Sequence, residues 1–372
     1  MKNRILAGAS ALALLASAGA AFAAGSNTST INQPASNSQA TVNQGAGDGE
    51  TSTVLQTGWD NRVDLTQSGE DNVSNITQNG ANVLGPLSNR SNDLTGVQDG
   101  AAGEFDVIQT GDNGADLSQT STALREEVTL RQTGRNNAET DQSGTDNDAN
   151  ITQTGAVFLS ANEAGATQSG ARNVTNITQL GNNNRASATQ KGATDESVIA
   201  QTGQRNAADV TQDGDNTSNV SQLGNRNRAL VNQTGPGNTS DIVQVATANS
   251  GYAAQAEVTQ NGRSNSSQVS QLSRSTAFVD QVGDLNISLV TQQLGSGGSM
   301  ADVTQTGNSN DSTITQGGTG SHEATVTQTG NDNDSLLTQL GFNNTATVTQ
   351  TGNLNLSTLS QTGSNNVASI SQ

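Results

Sequence analysis

The chain has 372 residues, a formal charge of −18, no Cys and one His. Aromatic residues make up 2% of it, and Val, Ile, Leu and Phe together less than a fifth. An ordinary globular core of this size is excluded, because aromatic and large aliphatic side chains supply most buried area. The charge per residue is nevertheless too low for a self-repelling coil.

The first segment reads as an export signal. Lys2 and Arg4 give a basic start, Ile5 to Ala20 is apolar but short, and Ala21-Phe22-Ala23 fits a small-x-small cleavage rule. A secretory signal peptide is predicted over residues 1–23, followed by a short lead over 24–32. Loss of Lys2 and Arg4 leaves 13 basic against 33 acidic residues, a charge of −20. No later run reaches the roughly 18 apolar residues of a membrane span, so none is predicted in the mature chain. The remaining basic residues are scattered along the sequence, which argues against a nucleic-acid partner.

From residue 33 to 372 the chain repeats. Gln recurs thirty times as an anchor, from Gln33, Gln44 and Gln56 to Gln350, Gln361 and Gln372, and 18 of the 29 intervals are 11 residues. Counting from Gln as zero, Gly stands at +2, Asn at +5, Ala or Ser at +7, an aliphatic at +9 and Gln again at +11. Positions +5, +7, +9 and +11 share one face of a strand. Charged residues keep to the other face, as with Arg62, Arg185, Arg228 and Asp311 at +6 and Asp64, Asp209 and Asp241 at +8. Gly follows 23 of the 30 anchors at +2, where it supplies the positive φ of a tight turn. A Gly every 11 residues and strict alternation exclude helix.

Each unit is therefore strand plus turn, and two units make one coil. The predicted fold is all-β: a β-solenoid of about 15 stacked strand-turn-strand coils, about 22 residues each, with amyloid-like cross-β spacing. Inward Asn and Gln are expected to stack on their equivalents and bond along the axis. The most regular part starts at Gln305. There the predicted inward ladder and self-assembly residues are Gln305, Asn310, Gln316, Gln328, Asn333, Gln339, Asn344, Gln350, Asn355, Gln361, Asn366 and Gln372. The turn residues are Gly307, Gly330, Gly341, Gly352 and Gly363.

Irregular intervals over 79–97, 120–131, 156–166, 245–259 and 293–304 should hold loops at coil corners, including Phe158, Tyr252 and the Gly295–Met300 stretch. Asp195 takes an Asn place, which predicts a weak unit. His322 is read as an exposed loop residue. With one His and no Cys there is no triad or metal cluster, so no enzyme and no cofactor is indicated. Asp146-Asn147-Asp148 and Gly330-Asn331-Asp332-Asn333-Asp334 are like fragments of calcium loops, but calcium solenoids repeat every nine residues; turn propensity explains them better. Thr-x-Thr pairs such as Thr304/Thr306, Thr327/Thr329 and Thr349/Thr351 raise an ice-binding solenoid. Against it, Leu180, Ser143 or Asp213 replaces the second Thr elsewhere. A monomeric solenoid adhesin or stalk is a further reading of such a fold.

The spacing Gln-x-Gly-x-x-Asn-x-Ala-x-x-x-Gln resembles the curlin repeat of curli fibre subunits. It runs through Gln179-Leu180-Gly181…Asn184…Ala186…Gln190, Gln222…Asn227…Ala229…Gln233, Gln339…Asn344…Ala346…Gln350 and Gln361…Asn366…Ala368…Gln372. The resemblance implies a secreted, extracellular functional amyloid: a homopolymer at the cell surface, with a nucleator subunit and an outer-membrane secretion pore as partners, serving biofilm matrix and adhesion. The chain departs from the family in length, about three times that of familiar subunits, and in lacking a Gly-rich segment after the signal peptide. The sequence ends at Gln372 within a predicted strand, an open edge on which a further copy is expected to stack.

Overall fold

Every second residue of a unit is uncharged and every other one is free to carry charge, which dictates strands with one face buried. The computed structural model describes residues 26–372 except 35–36, 46, 81–91, 157–159, 246–253, 294 and 296. The expected signal peptide, Phe158 and Tyr252 lie outside the described residues. Twenty-eight strands, numbered in chain order from β1 (Thr28–Asn32) to β28 (Val367–Ser371), make up the fold. There is no helix among the described residues.

Strands pair in parallel with the equivalent strand one coil on. β25 (Asp334–Phe342) pairs with β27 (Leu356–Ser364), with Gln339 opposite Gln361 and Gly341 opposite Gly363. β26 (Thr345–Thr351) pairs with β28, with Ala346 opposite Ala368. The chain thus climbs as a β-solenoid with two parallel stacks facing each other, joined by arcs along two edges. β7 (Glu104–Leu124) and β8 (Glu127–Thr145) pass through an edge and serve both stacks. Each stack therefore has fifteen rungs, linked by about 14 turns. At about 4.8 Å per rung the solenoid is roughly 70 Å long.

Several boundaries differ from the sequence reading, and β6 (Asp93–Ala101), β10 (Asn162–Ala171) and β18 (Gln255–Asn261) all start inside predicted loop intervals. β1 falls inside the expected lead and pairs with β3 (Thr51–Thr57), Ile31 opposite Val54, so the solenoid begins before Gln33. The irregular interval 293–304 is a loop only in its first half, because Ser299 and Met300 already belong to β22 (Ser299–Thr306). Likewise Glu127–Arg131 lies within β8, paired with Glu104–Ile108.

The interior is one strand pair thick. Aliphatics at +9 form a column in each stack, for example Ile199, Val220 and Ile242 against Val210, Val231 and Val258, all buried. The +7 place divides by stack, which the sequence reading treated as a free choice of Ala or Ser. One stack has buried Ser197, Ser218, Ser240, Ser267, Ser288, Ser312, Ser335 and Ser357; the other has Ala208, Ala229, Ala256, Ala277, Ala301, Ala324 and Ala346. Small residues on both walls let the sheets approach closely. Where one wall grows the other shrinks: Phe105 is fully buried, and a Cβ on Gly96 would lie 3.3 Å from its ring.

Candidate functional site

The arc from one stack to the other uses a fixed conformation. Gly307 at +2 has φ +118° and Ser309 at +4 has φ 56°. The +4 place is left-handed in residues as different as Arg205, Leu354, Asp332 and Asn365. Residue type there gives no signal, and sequence reasoning missed it. The Asn at +5 closes the arc: Asn344 Nδ2 donates to the Leu340 carbonyl at 3.1 Å. At Gly307 and Gly330 a second constraint acts. A Cβ on either would fall 1.9 or 1.8 Å from the carbonyl oxygen of the glycine in the next coil, so stacking itself demands glycine.

The expected ladder residues line up along the axis. Gln305 Nε2 donates to Gln328 Oε1 at 2.9 Å, Gln328 to Gln350 at 2.9 Å and Gln350 to Gln372 at 3.2 Å. In the other stack Gln316 donates to Gln339 at 3.0 Å and Gln339 to Gln361 at 2.9 Å. The second amide hydrogen crosses the interior to the facing stack: Gln328 Nε2 also donates to the Asp311 carbonyl at 2.8 Å and Gln339 Nε2 to that of Glu323 at 2.9 Å. Each Gln thus satisfies its buried amide while tying rung to rung and stack to stack. The Asn ladder runs the opposite way. Asn333 Nδ2 donates back to Asn310 Oδ1 and Asn355 Nδ2 back to Asn333 Oδ1, both at 2.9 Å. Gln305 to Gln350 and Asn310 to Asn344 are buried, whereas Asn355 is half-buried and Asn366 and Gln372 in the last rung are exposed.

A third ladder lies on the outside of the arcs. The side-chain oxygen at +3 accepts the backbone N–H of the preceding coil's +3 residue, as in Asn308 N to Asn331 Oδ1 at 3.0 Å and Asn331 N to Asn353 Oδ1 at 2.8 Å. Asn at +3 looked like turn propensity alone in the sequence.

Four titratable residues occupy Asn places. Glu50, Glu126 and Asp195 stand in one Asn column and are buried. Asp195 Oδ1 accepts from Asn216 N at 3.0 Å, but its Oδ2 is buried without a partner, as is Glu50 Oε1. Burial raises all three carboxyls to about 7. His322 corrects the sequence reading: it is 1% exposed, because it fills an Asn place in the other column. Its Nδ1 accepts Asn344 N–H at 3.3 Å, its Nε2 is unpartnered, and burial lowers its pKa.

The threonines form a short array. Thr304, Thr327 and Thr349 stand in register, as do Thr306, Thr329 and Thr351. The array stops there: Asp280 and Val282 take these places in the preceding rung.

The curlin associated repeat matches five segments, residues 160–192, 181–214, 215–245, 307–341 and 342–372. The chain is a curlin-repeat protein. No curated protein matches it. The Gln ladder runs through the matched segments and continues through the unmatched rungs between them, as in Gln260 to Gln281 and Gln281 to Gln305, both at 2.8 Å.

Proposed function

We propose that this curlin-repeat protein is a secreted subunit of an extracellular, curli-like functional amyloid, which grows by stacking of copies and serves biofilm matrix and adhesion. The observation that carries the reading is the direction of the ladders. Gln donors point toward the C-terminal rung and Asn donors toward the N-terminal rung. A second copy stacked in the same orientation brings the Gln361 and Gln372 amides against the side-chain oxygens of Gln33 and Gln44. Reversed stacking would set donor against donor. Gln305, Asn310, Gln316, Gln328, Asn333 and their successors act here as the propagating register, and the family's nucleator and outer-membrane pore are the partners.

The test is seeded growth. Purified chain should form long thioflavin-positive fibres with a 4.7–4.8 Å repeat, and preformed seeds should abolish the lag. A chain that stays monomeric for days and ignores seeds refutes the proposal. Electron microscopy then separates a fibre from a stalk of about 70 Å.

A further inference from the structure

The fold collects charges that the sequence spreads out. Arg185, Arg205, Arg226 and Arg228 lie within three successive arcs along one edge of the solenoid, and all are exposed. These arcs, residues 180–185, 202–207 and 223–228, contain no carboxylate. The acids in the adjoining strands are Glu163, opposite Arg185 in the neighbouring rung, Asp209, two residues beyond Ala207, and Glu257, two residues beyond Gln255, which stands opposite Arg228. Leu180 and Leu223 on the same edge are each 51% exposed. An open groove lined by Ala207, Asp209 and Leu230 lies between Arg185 and Arg228.

The opposite edge carries an acidic patch, with Arg172 and Lys191 on arcs of that edge further along. Glu104, Glu127 and Asp148 stand directly above one another in three successive rungs, with Glu70, Asp71 and Asp99 on the arcs beside them. Arg125 on this edge is already bound to Asp146 at 3.2 Å. Like charges about 4.8 Å apart in a ladder repel, and burial together with Glu127 raises the carboxyl of Asp148.

We infer that solenoids associate edge to edge, the arginine edge of one copy on the acidic edge of the next. Both edges carry the same rung spacing, so charges match in register over three rungs. The acidic column occupies the fourth to sixth rungs and the arginines the seventh to ninth, so neighbours are staggered by three rungs, about 14 Å. Each copy offers one edge of each sign, a heterologous contact that does not close and builds flat ribbons. A single exposed ion pair contributes little; repetition along two parallel filaments supplies the avidity. The ribbon form rests on the fibre reading above; the edge contact itself does not.

The test compares wild type with Arg205→Glu/Arg228→Glu and with Glu104→Lys/Glu127→Lys, by electron microscopy and by sedimentation of the soluble chain against salt. Wild type should form ribbons and associate at low salt, and lose both as salt screens the edges. Each variant should give single filaments with unchanged thioflavin lag. Mixing the two variants should restore ribbons. If no chain forms filaments, the fibre reading fails, and salt-sensitive association lost in each variant and regained in the mixture still upholds the edge contact. Association unchanged in both variants, or a mixture no better than its components, overturns it. So does a loss confined to binding of an acidic polysaccharide such as alginate, which would make the arginine edge a matrix site.

Discussion

Replacing Asp195 with Asn should stabilise the solenoid above neutral pH and leave it nearly unchanged in acid. Asp195 fills an Asn place, accepts from Asn216 and leaves Oδ2 buried and unpartnered. Its carboxyl is raised from 3.8 to about 7, first by burial and then by Asp213, against the bonds from Asn216 and Gly214. Between these values the folded chain holds a proton that the unfolded chain has released. Stability therefore falls as pH rises through that window and is level above it. At about 1.4 kcal/mol per pH unit the ionised group costs up to about 4 kcal/mol, and partial hydration of the arc lowers this to about 2–4. Repeat proteins open locally, so the readout is amide hydrogen exchange in β11 (Val174–Asn182), β13 (Glu196–Gln204) and β15 (Thr217–Asn225). At pH 8 exchange in Asp195→Asn should slow by about thirty-fold or more; at pH 4 the variant and wild type should agree within a few-fold. Equal protection at both pH values, or faster exchange in the variant at pH 8, would refute the reasoning. Glu50 and Glu126, also raised to about 7, should make the wild type stiffen in their own coils over the same fall in pH.

Gly330→Ala should disrupt its coil by about 3 kcal/mol or more, since both the φ of +120° and the 1.8 Å approach to the Gly352 carbonyl reject a Cβ; denaturant melts of the soluble chain would show it. Ser312→Ala should be neutral or stabilise by up to about 1 kcal/mol, because Ser312 Oγ is buried without a partner, whereas Ile314→Ala should lose about 2–5 kcal/mol in the same assay. Gln328→Leu removes donations to Gln350 Oε1 and the Asp311 carbonyl and takes the axial acceptor from Gln305, whose amide keeps the Ile287 and Asn310 carbonyls. It should lower stability by about 2–4 kcal/mol and slow seeded elongation, which thioflavin kinetics would report.

Period and parity are what made the solenoid legible, because stacked coils force equivalent residues to meet. Gln at zero, Gly at +2 and an aliphatic at +9 each answer a demand that only a few residue types satisfy, so composition betrays them. The left-handed +4 place answers a backbone demand that Arg205 and Leu354 both meet, and it leaves no mark on composition. The division of +7 into a Ser wall and an Ala wall was present in the sequence, but only at a period of 22. Reading by 11 averages it into one position.

His322 and Asp195 make the same point about the ladder itself. Both sit where an Asn is required, and residue type alone reads one as a loop residue and the other as a break. The structure buries each at 1% exposure, because the arc fixes the +5 side chain inward before its chemistry is consulted. What a mismatched residue then loses is partners, since Asp195 Oδ2 and His322 Nε2 stay unbonded. A +5 place is thus defined by geometry and penalised by chemistry. That is why titratable residues at +5 affect pH behaviour while the far more numerous surface carboxylates set how solenoids meet one another.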